Sequence, residues 1–180
     1  MKSILIPDSG PLFSLAAGDL LGLLAHFRVA ITDVVKEESI DPGGLPGASV
    51  EAGRIFQFYI AHSATIEIRP TQIGDLLAKQ RQQNPKASLP NDAGELSIQS
   101  LLIELRATKH PAVVLFEDGW FLRNALFLPP TCSLISTEAF LLNAQKLKLI
   151  PSAEEARSAI SQLRPTAHRE AKTIRRGTER

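Results

Sequence analysis

Short apolar runs alternate with helix-like segments along most of the chain, and this order is the strongest constraint on its fold. The runs do not alternate between polar and apolar residues, which is typical of parallel strands covered on both faces. Repeated strand–helix order favours right-handed crossover connections. We therefore predict an α/β fold, a three-layer α/β/α sandwich with a mainly parallel sheet of about five strands. The predicted strands are Ser3–Pro7, Val29–Ile31, Thr65–Ile68, Ala112–Phe116 and Cys132–Ile135.

The segments between these runs place apolar residues at helical spacing. The clearest is Asp92–Thr108, and Ala48–Ser63 and the Leu-rich stretch Leu12–Leu24 have the same character. Two stretches are predicted as loops. Asp41–Gly47 is dense in Pro and Gly, and Gln80–Pro90 is polar and contains two prolines.

Charge is distributed unevenly along the 180 residues, although the net charge is only +1. Residues 164–180 carry six basic and two acidic side chains, whereas the preceding residues have three more acidic than basic ones. A mildly acidic body followed by a basic, apolar-poor segment predicts one domain at 1–163 and a flexible basic tail at 164–180. Either contact with phosphate backbones or simple solvation would explain such a tail.

Cysteine content and hydropathy indicate the compartment. Cys132 is the single cysteine, so no internal disulfide can form, and its apolar surroundings favour a buried thiol. No apolar run approaches the ~20 residues of a membrane span, and the first residues lack the apolar length of a secretory signal. We expect a cytoplasmic protein that does not enter the membrane.

Acidic residues follow the predicted strands at the edge where a ligand site is expected, because ligands of open α/β sheets bind at the carboxyl ends of the strands. One acid follows the first strand directly, and an acidic pair follows the fourth. Others lie on a short helix after the second strand and at the start of the long helix before the fourth. In chain order, the candidates are Asp8, Glu37, Glu38, Asp92, Glu95, Glu117 and Asp118.

Each of these acids also has an ordinary structural explanation. Asp8 and Asp118 could cap helices, at about 1 kcal/mol each, and Asp92 and Glu95 have the spacing of a capping box. Converging carboxylates would instead repel one another by roughly 4 kcal/mol per pair at about 4 Å and an effective dielectric near 20. Such convergence implies a divalent cation, and oxygen-only ligands without a Cys or His pair favour Mg²⁺ or Mn²⁺ over zinc.

Five segments, in order, resemble the motifs of the PIN-domain family. ILIPDSGPLFSLAAGDLLGLL resembles its opening strand, acidic residue and Leu-rich helix. ITDVVKEES, NDAGELSIQSLL and VVLFEDGWFLR are similar to its second, third and fourth acidic motifs. CSLISTEAFLLNAQKLKLIPSAEEA resembles its closing strand, turn and helix, so the resemblance covers about residues 3–160.

The resemblance implies a metal-dependent endoribonuclease, similar to the virulence-associated protein C toxins of type II toxin–antitoxin pairs in bacteria. The implied catalytic set is Asp8, Glu38, Glu95 and Asp118. Asp8, Glu95 and Asp118 would bind Mg²⁺ or Mn²⁺, and Glu38 would hold a metal-bound water. The close rival of Glu38 in the second motif is Glu37.

Three further residues are expected beside the implied ligands. Ser9 and Thr137 are candidates to hydrogen-bond a ligand or a phosphate oxygen. Glu117 either lies beside the ligands or takes the place of Asp118, a choice that the sequence leaves open. The resemblance also implies an RNA substrate, a small antitoxin protein as partner and a homodimer.

An acidic cleft repels a polyanion, so flanking basic residues must contact the RNA backbone. The candidates are Lys79, Arg81, Lys86, Arg123 and the tail. Trp120 and Phe121 could stack a base, and Phe121, Leu122 and Phe127 are candidates for an exposed dimer interface.

The alternative is a PIN-like protein without catalysis that acts as a binding or regulatory partner. A nucleotide-binding or response-regulator-like domain is disfavoured, because the sequence has neither a Gly-rich phosphate loop nor an acidic pair after the first strand.

Overall fold

We describe the protein from a computed structural model, which covers residues 3–88, 90–165 and 174–175. The strands are β1 (Ile4–Pro7), β2 (Arg28–Thr32), β3 (Ile66–Arg69), β4 (Ala112–Phe116), β5 (Cys132–Ser136) and β6 (Ile174–Arg175). They form one sheet in the order β3-β2-β1-β4-β5-β6. The first five are parallel, and β6 pairs antiparallel with β5 at the edge. The predicted α/β class and all five predicted strands are confirmed.

The helices flank this sheet, which gives the three-layer arrangement. The α-helices are α1 (Ser9–Ala17), α2 (Asp33–Ser39), α3 (Val50–His62), α4 (Gln72–Gln83), α5 (Ala93–Ala107), α6 (Trp120–Arg123), α7 (Thr137–Lys146) and α8 (Ala153–Leu163). Short 3₁₀ helices cover Leu21–His26, Asp41–Gly44 and Ala125–Phe127.

The largest differences from the sequence prediction concern two of the helical segments. The Leu-rich stretch Leu12–Leu24 does not form one helix, because α1 ends at Ala17 and Asp19 adopts a left-handed backbone with φ 57°. The predicted loop Gln80–Pro90 is wrong in its first part, since Gln80–Gln83 completes α4.

The core explains why the strand sequences do not alternate. All four residues of β1 are buried, as is every residue of β4 except Val113. The sheet therefore buries both of its faces, and β1 and β4 lie at its centre between neighbours on each side. Within the described ranges, no helix is both long and apolar enough to cross a membrane.

The predicted domain boundary falls where α8 ends, at Leu163. Most of the predicted basic tail lies outside the described residues, so its flexibility stays a prediction.

Candidate functional site

The order of the strands places a crevice between β1 and β4. From β1 the chain proceeds outward through β2 and β3, and then returns to the other side of β1 to form β4. Such a switch point is where open α/β sheets bind ligands, at the carboxyl ends of the strands. Asp8 follows β1, and its main-chain N–H donates to the Leu115 carbonyl of β4 at 2.9 Å. Glu117 and Asp118 follow β4 at the same edge.

Asp8 is a buried carboxylate, only 4% exposed. It occupies the position before α1 where a helix cap would lie, yet its side chain makes no capping hydrogen bond to the described helix. Among the residues that the structure describes, Asp8 Oδ1 is the one buried side-chain oxygen or nitrogen without a hydrogen-bond partner. Capping does not explain this acid.

The surroundings of Asp8 strongly disfavour its charged form. Burial is the main cause that raises its pKa to about 7, opposed by the Ser9 N–H and reinforced by the charges of Asp118, Glu38 and Glu117. These acids come from separate elements of the chain, so the structure does bring distant carboxylates to one place.

Glu95, in the first turn of α5, is the second buried acid of the cluster. Burial, the Asp8 charge and the Asp118 charge raise the pKa of Glu95 to about 8, and Glu95 also shares a hydrogen bond with Asp118. Asp92 precedes the helix but makes no capping hydrogen bond to the described part of α5, so the capping-box explanation is wrong. Asp118 has a partly structural role, because its Oδ1 accepts from the Trp120 N–H at 2.7 Å.

Glu38 reaches the cluster from α2. Burial raises its pKa, while the Ser9 hydroxyl and the Gly94 main-chain N–H donate to its carboxylate and favour the charged form. A Cβ on Gly94 would lie 2.7 Å from Glu38 Oε2, so the glycine makes room for this carboxylate. Its rival Glu37 forms an ion pair with Arg81. Of these two glutamates, Glu38 is the one whose charge raises the pKa of Asp8.

A buried hydroxyl pair holds the helices that carry Glu38 and Glu95. Thr32 Oγ1 and Ser97 Oγ are 2.7 Å apart, and Ser97 donates to the Gly94 carbonyl at 2.6 Å. Thr32 also caps α2 by accepting from the Val35 N–H. Sequence reasoning missed both residues, although a Thr directly between a strand and a helix is a recognisable capping signal.

The remaining predicted positions lie around the cluster. Glu117 is buried and pairs with Arg164. Thr137 is buried at the start of α7, where its hydroxyl donates to the Phe116 carbonyl at 3.5 Å. The Thr137 hydroxyl therefore contacts the main chain at the end of β4 and not one of the carboxylates.

Several surface expectations need correction. Phe121 is fully buried against Phe116, so it neither stacks a base nor forms an exposed interface. Phe127 is 69% exposed, and the unpredicted Leu126 beside it is 92% exposed. Lys79, Lys86 and Arg123 are exposed as expected, whereas Arg81 is engaged by Glu37.

The carboxylate oxygens of the cluster are ligands of the type that a hard cation prefers, but their present arrangement does not form a metal site. Within residues 3–88, 90–165 and 174–175, no three His, Cys, Asp or Glu side chains are placed to hold a metal ion as they stand. Their oxygens instead engage neighbouring groups, as Glu95 does with Asp118 and Glu38 does with Ser9. An ion would have to displace such hydrogen bonds. The unpartnered Asp8 Oδ1 and the all-oxygen donor set fit Mg²⁺ or Mn²⁺.

Comparison with known proteins adds no relative, since no family model, curated protein or solved structure matches the chain. What the fold and site define is a class: an α/β protein with buried, mutually repelling carboxylates at the switch point of its sheet.

The buried acid predicts an unusual pH dependence of stability in the metal-free protein. The folded-state pKa of Asp8, about 7 against the ordinary 3.8, means that the folded state binds this proton more tightly than the unfolded state. The stability from this group is therefore present at low pH and lost as pH rises toward 7. As pH rises, we expect the free energy of unfolding of wild type to fall relative to that of Asp8→Asn, by up to about 1.4 kcal/mol per pH unit.

The measurement is urea unfolding in chelator from about pH 5 to about pH 7. The exposed Asp75→Asn is the matched control and should parallel wild type. If the free energy of unfolding changes with pH equally in wild type and Asp8→Asn, the raised pKa of a buried Asp8 carboxyl group is contradicted.

Proposed function

We propose that the protein is a Mg²⁺-dependent endoribonuclease that hydrolyses RNA phosphodiesters, the toxin of a type II toxin–antitoxin pair. One observation carries the proposal: Asp8 is buried beside Glu38, Glu95 and Asp118 at the switch point, with an oxygen that has no partner in the described chain. A protein gains no stability from such a cluster, whereas a divalent cation would offset the repulsion. The order of the sequence motifs supports the same class.

The acidic residues have two different roles in this proposal. Asp8, Glu95 and Asp118 would hold the ion, which when bound supplies an activated water and positive charge at the scissile phosphate. The Ser9 hydroxyl and the Gly94 N–H donate to the Glu38 carboxylate and oppose the burial that raises its pKa, so Glu38 can orient a water molecule or accept its proton. Burial keeps bulk water from weakening these interactions.

The substrate is a polyanion, so the acidic site needs cationic neighbours. Lys79, Lys86 and Arg123 are exposed and available for backbone contacts. The proposal includes a small antitoxin as partner, a homodimer and a cytoplasmic location, where RNA is accessible. The exposed pair Leu126 and Phe127 is the candidate contact for a protein partner.

Cleavage of a structured RNA by the purified chain tests the activity. With Mg²⁺ or Mn²⁺ we expect cleavage that chelator abolishes, and we expect Asp8→Asn to lose at least about 100-fold, because a ligand of the ion is removed. The surface control Asp75→Asn should cleave like wild type. Equal cleavage by wild type and Asp8→Asn, or none by either with both ions, would sink the proposal and leave a non-catalytic binding partner as the better description.

A glycine substitution tests the role of Glu38 by moving its carboxyl group without changing its chemistry. In Gly94→Ala the new methyl group would displace Glu38 Oε2, which is the mobile end of its side chain, so the fold should survive. We expect about tenfold slower cleavage with little change in melting temperature. Gly53→Ala in α3 is the matched control, since nothing lies within 4 Å of its added Cβ. Full activity of Gly94→Ala would remove Glu38 from the mechanism.

A further inference from the structure

Arg164 reaches the edge of the carboxylate cluster from just beyond α8. Its Nη1 donates to the Gly10 carbonyl at 2.8 Å, to Ser14 Oγ at 2.7 Å and to Glu117 Oε2 at 3.3 Å. The guanidinium also lies over the Phe13 ring, 5.9 Å from its centroid. Three of these contacts are to α1, so Arg164 has a fixed place on this helix beside Glu117.

Glu117 is also confined by the backbone of α1. It is buried, and a Cβ on Gly10 would lie 3.2 Å from its Oε2 and 3.3 Å from its Cβ. The Glu117 side chain therefore packs against the first turn of α1, where Arg164 binds it. Among the three carboxylates whose charges raise the pKa of Asp8, Glu117 has the smallest effect and Asp118 the largest.

On the basis of the proposed function, we infer that Arg164 is a positioning residue that withholds Glu117 from the metal ion, so that Asp118 is the acid of β4 that binds it. A guanidinium is always charged, so its 3.3 Å contact with Glu117 is an ion pair as well as a hydrogen bond. To become a ligand, Glu117 would have to leave this bond and expose an unpaired cation at the rim of the site. Asp118, one residue later, is free of any described ion pair and shares a hydrogen bond with Glu95.

Substitution of the two adjacent acids should therefore affect Mn²⁺ binding to very different extents. Glu117→Gln should weaken Mn²⁺ binding by only about threefold, through the uncompensated charge of Arg164, whereas Asp118→Asn should weaken it by at least about 100-fold. Arg164→Met should bind Mn²⁺ about tenfold more tightly, because Glu117 is released as an added anionic ligand. The double variant Arg164→Met/Glu117→Gln should return to about the wild-type affinity, and Arg164→Lys, which keeps the charge, should stay near it.

The experiment is titration of the purified full-length variants with Mn²⁺, with thermal melting to verify that each is folded. The inference is overturned if Glu117→Gln loses binding as severely as Asp118→Asn, or if Arg164→Met binds Mn²⁺ no more tightly than wild type. A separate arm tests the proposed function: if wild type and Asp8→Asn bind Mn²⁺ equally, the metal site itself is absent. Loss of binding by Asp8→Asn together with equal effects of the acids at 117 and 118 would reject only the role of Arg164.

Discussion

The burial of the Asp8 carboxyl group at the end of β1 is the constraint around which the rest of the site is arranged. An acid in this position is desolvated, surrounded by other acids and left with an oxygen that no described group satisfies. Each of these features costs stability, and the Ser9 N–H offsets them only in part. The parallel pairing of β1 with β4 makes the position unavoidable, because it carries Asp8 and Asp118 to one edge of the sheet.

The supporting structure holds the acids together despite their repulsion. Buried strands fix Asp8 and Asp118, while the hydroxyl pair of Thr32 and Ser97 joins the helices that carry Glu38 and Glu95. Glu95 lies in the first turn of α5, where the partial positive charge of the helix end moderates its cost. A rigid scaffold thus holds a small set of desolvated carboxyl groups close together, which is how sites are commonly preorganised for ions.

Local patterns were sufficient to predict the sheet and much of the cluster, because apolar runs reveal buried strands and an acid after a strand end lies at a known edge. The choice between Glu37 and Glu38 needed the structure, since adjacent residues of a helix point in different directions and only one meets Ser9. The contact of Arg164 with Gly10 spans 154 residues, beyond the reach of any local pattern. Phe121 was misplaced because α6 has only four residues, too few to reveal which face is buried.

The central claim is that these acids converge because a divalent cation binds among them. The most direct test is a crystal of the wild-type protein soaked in Mn²⁺, with anomalous scattering used to locate the ion. The account predicts a peak within about 2.5 Å of an Asp8 carboxylate oxygen, with Glu95 and Asp118 turned toward it. A well-ordered site in which Asp8 stays unliganded at saturating Mn²⁺, or an ion bound only elsewhere, would contradict it.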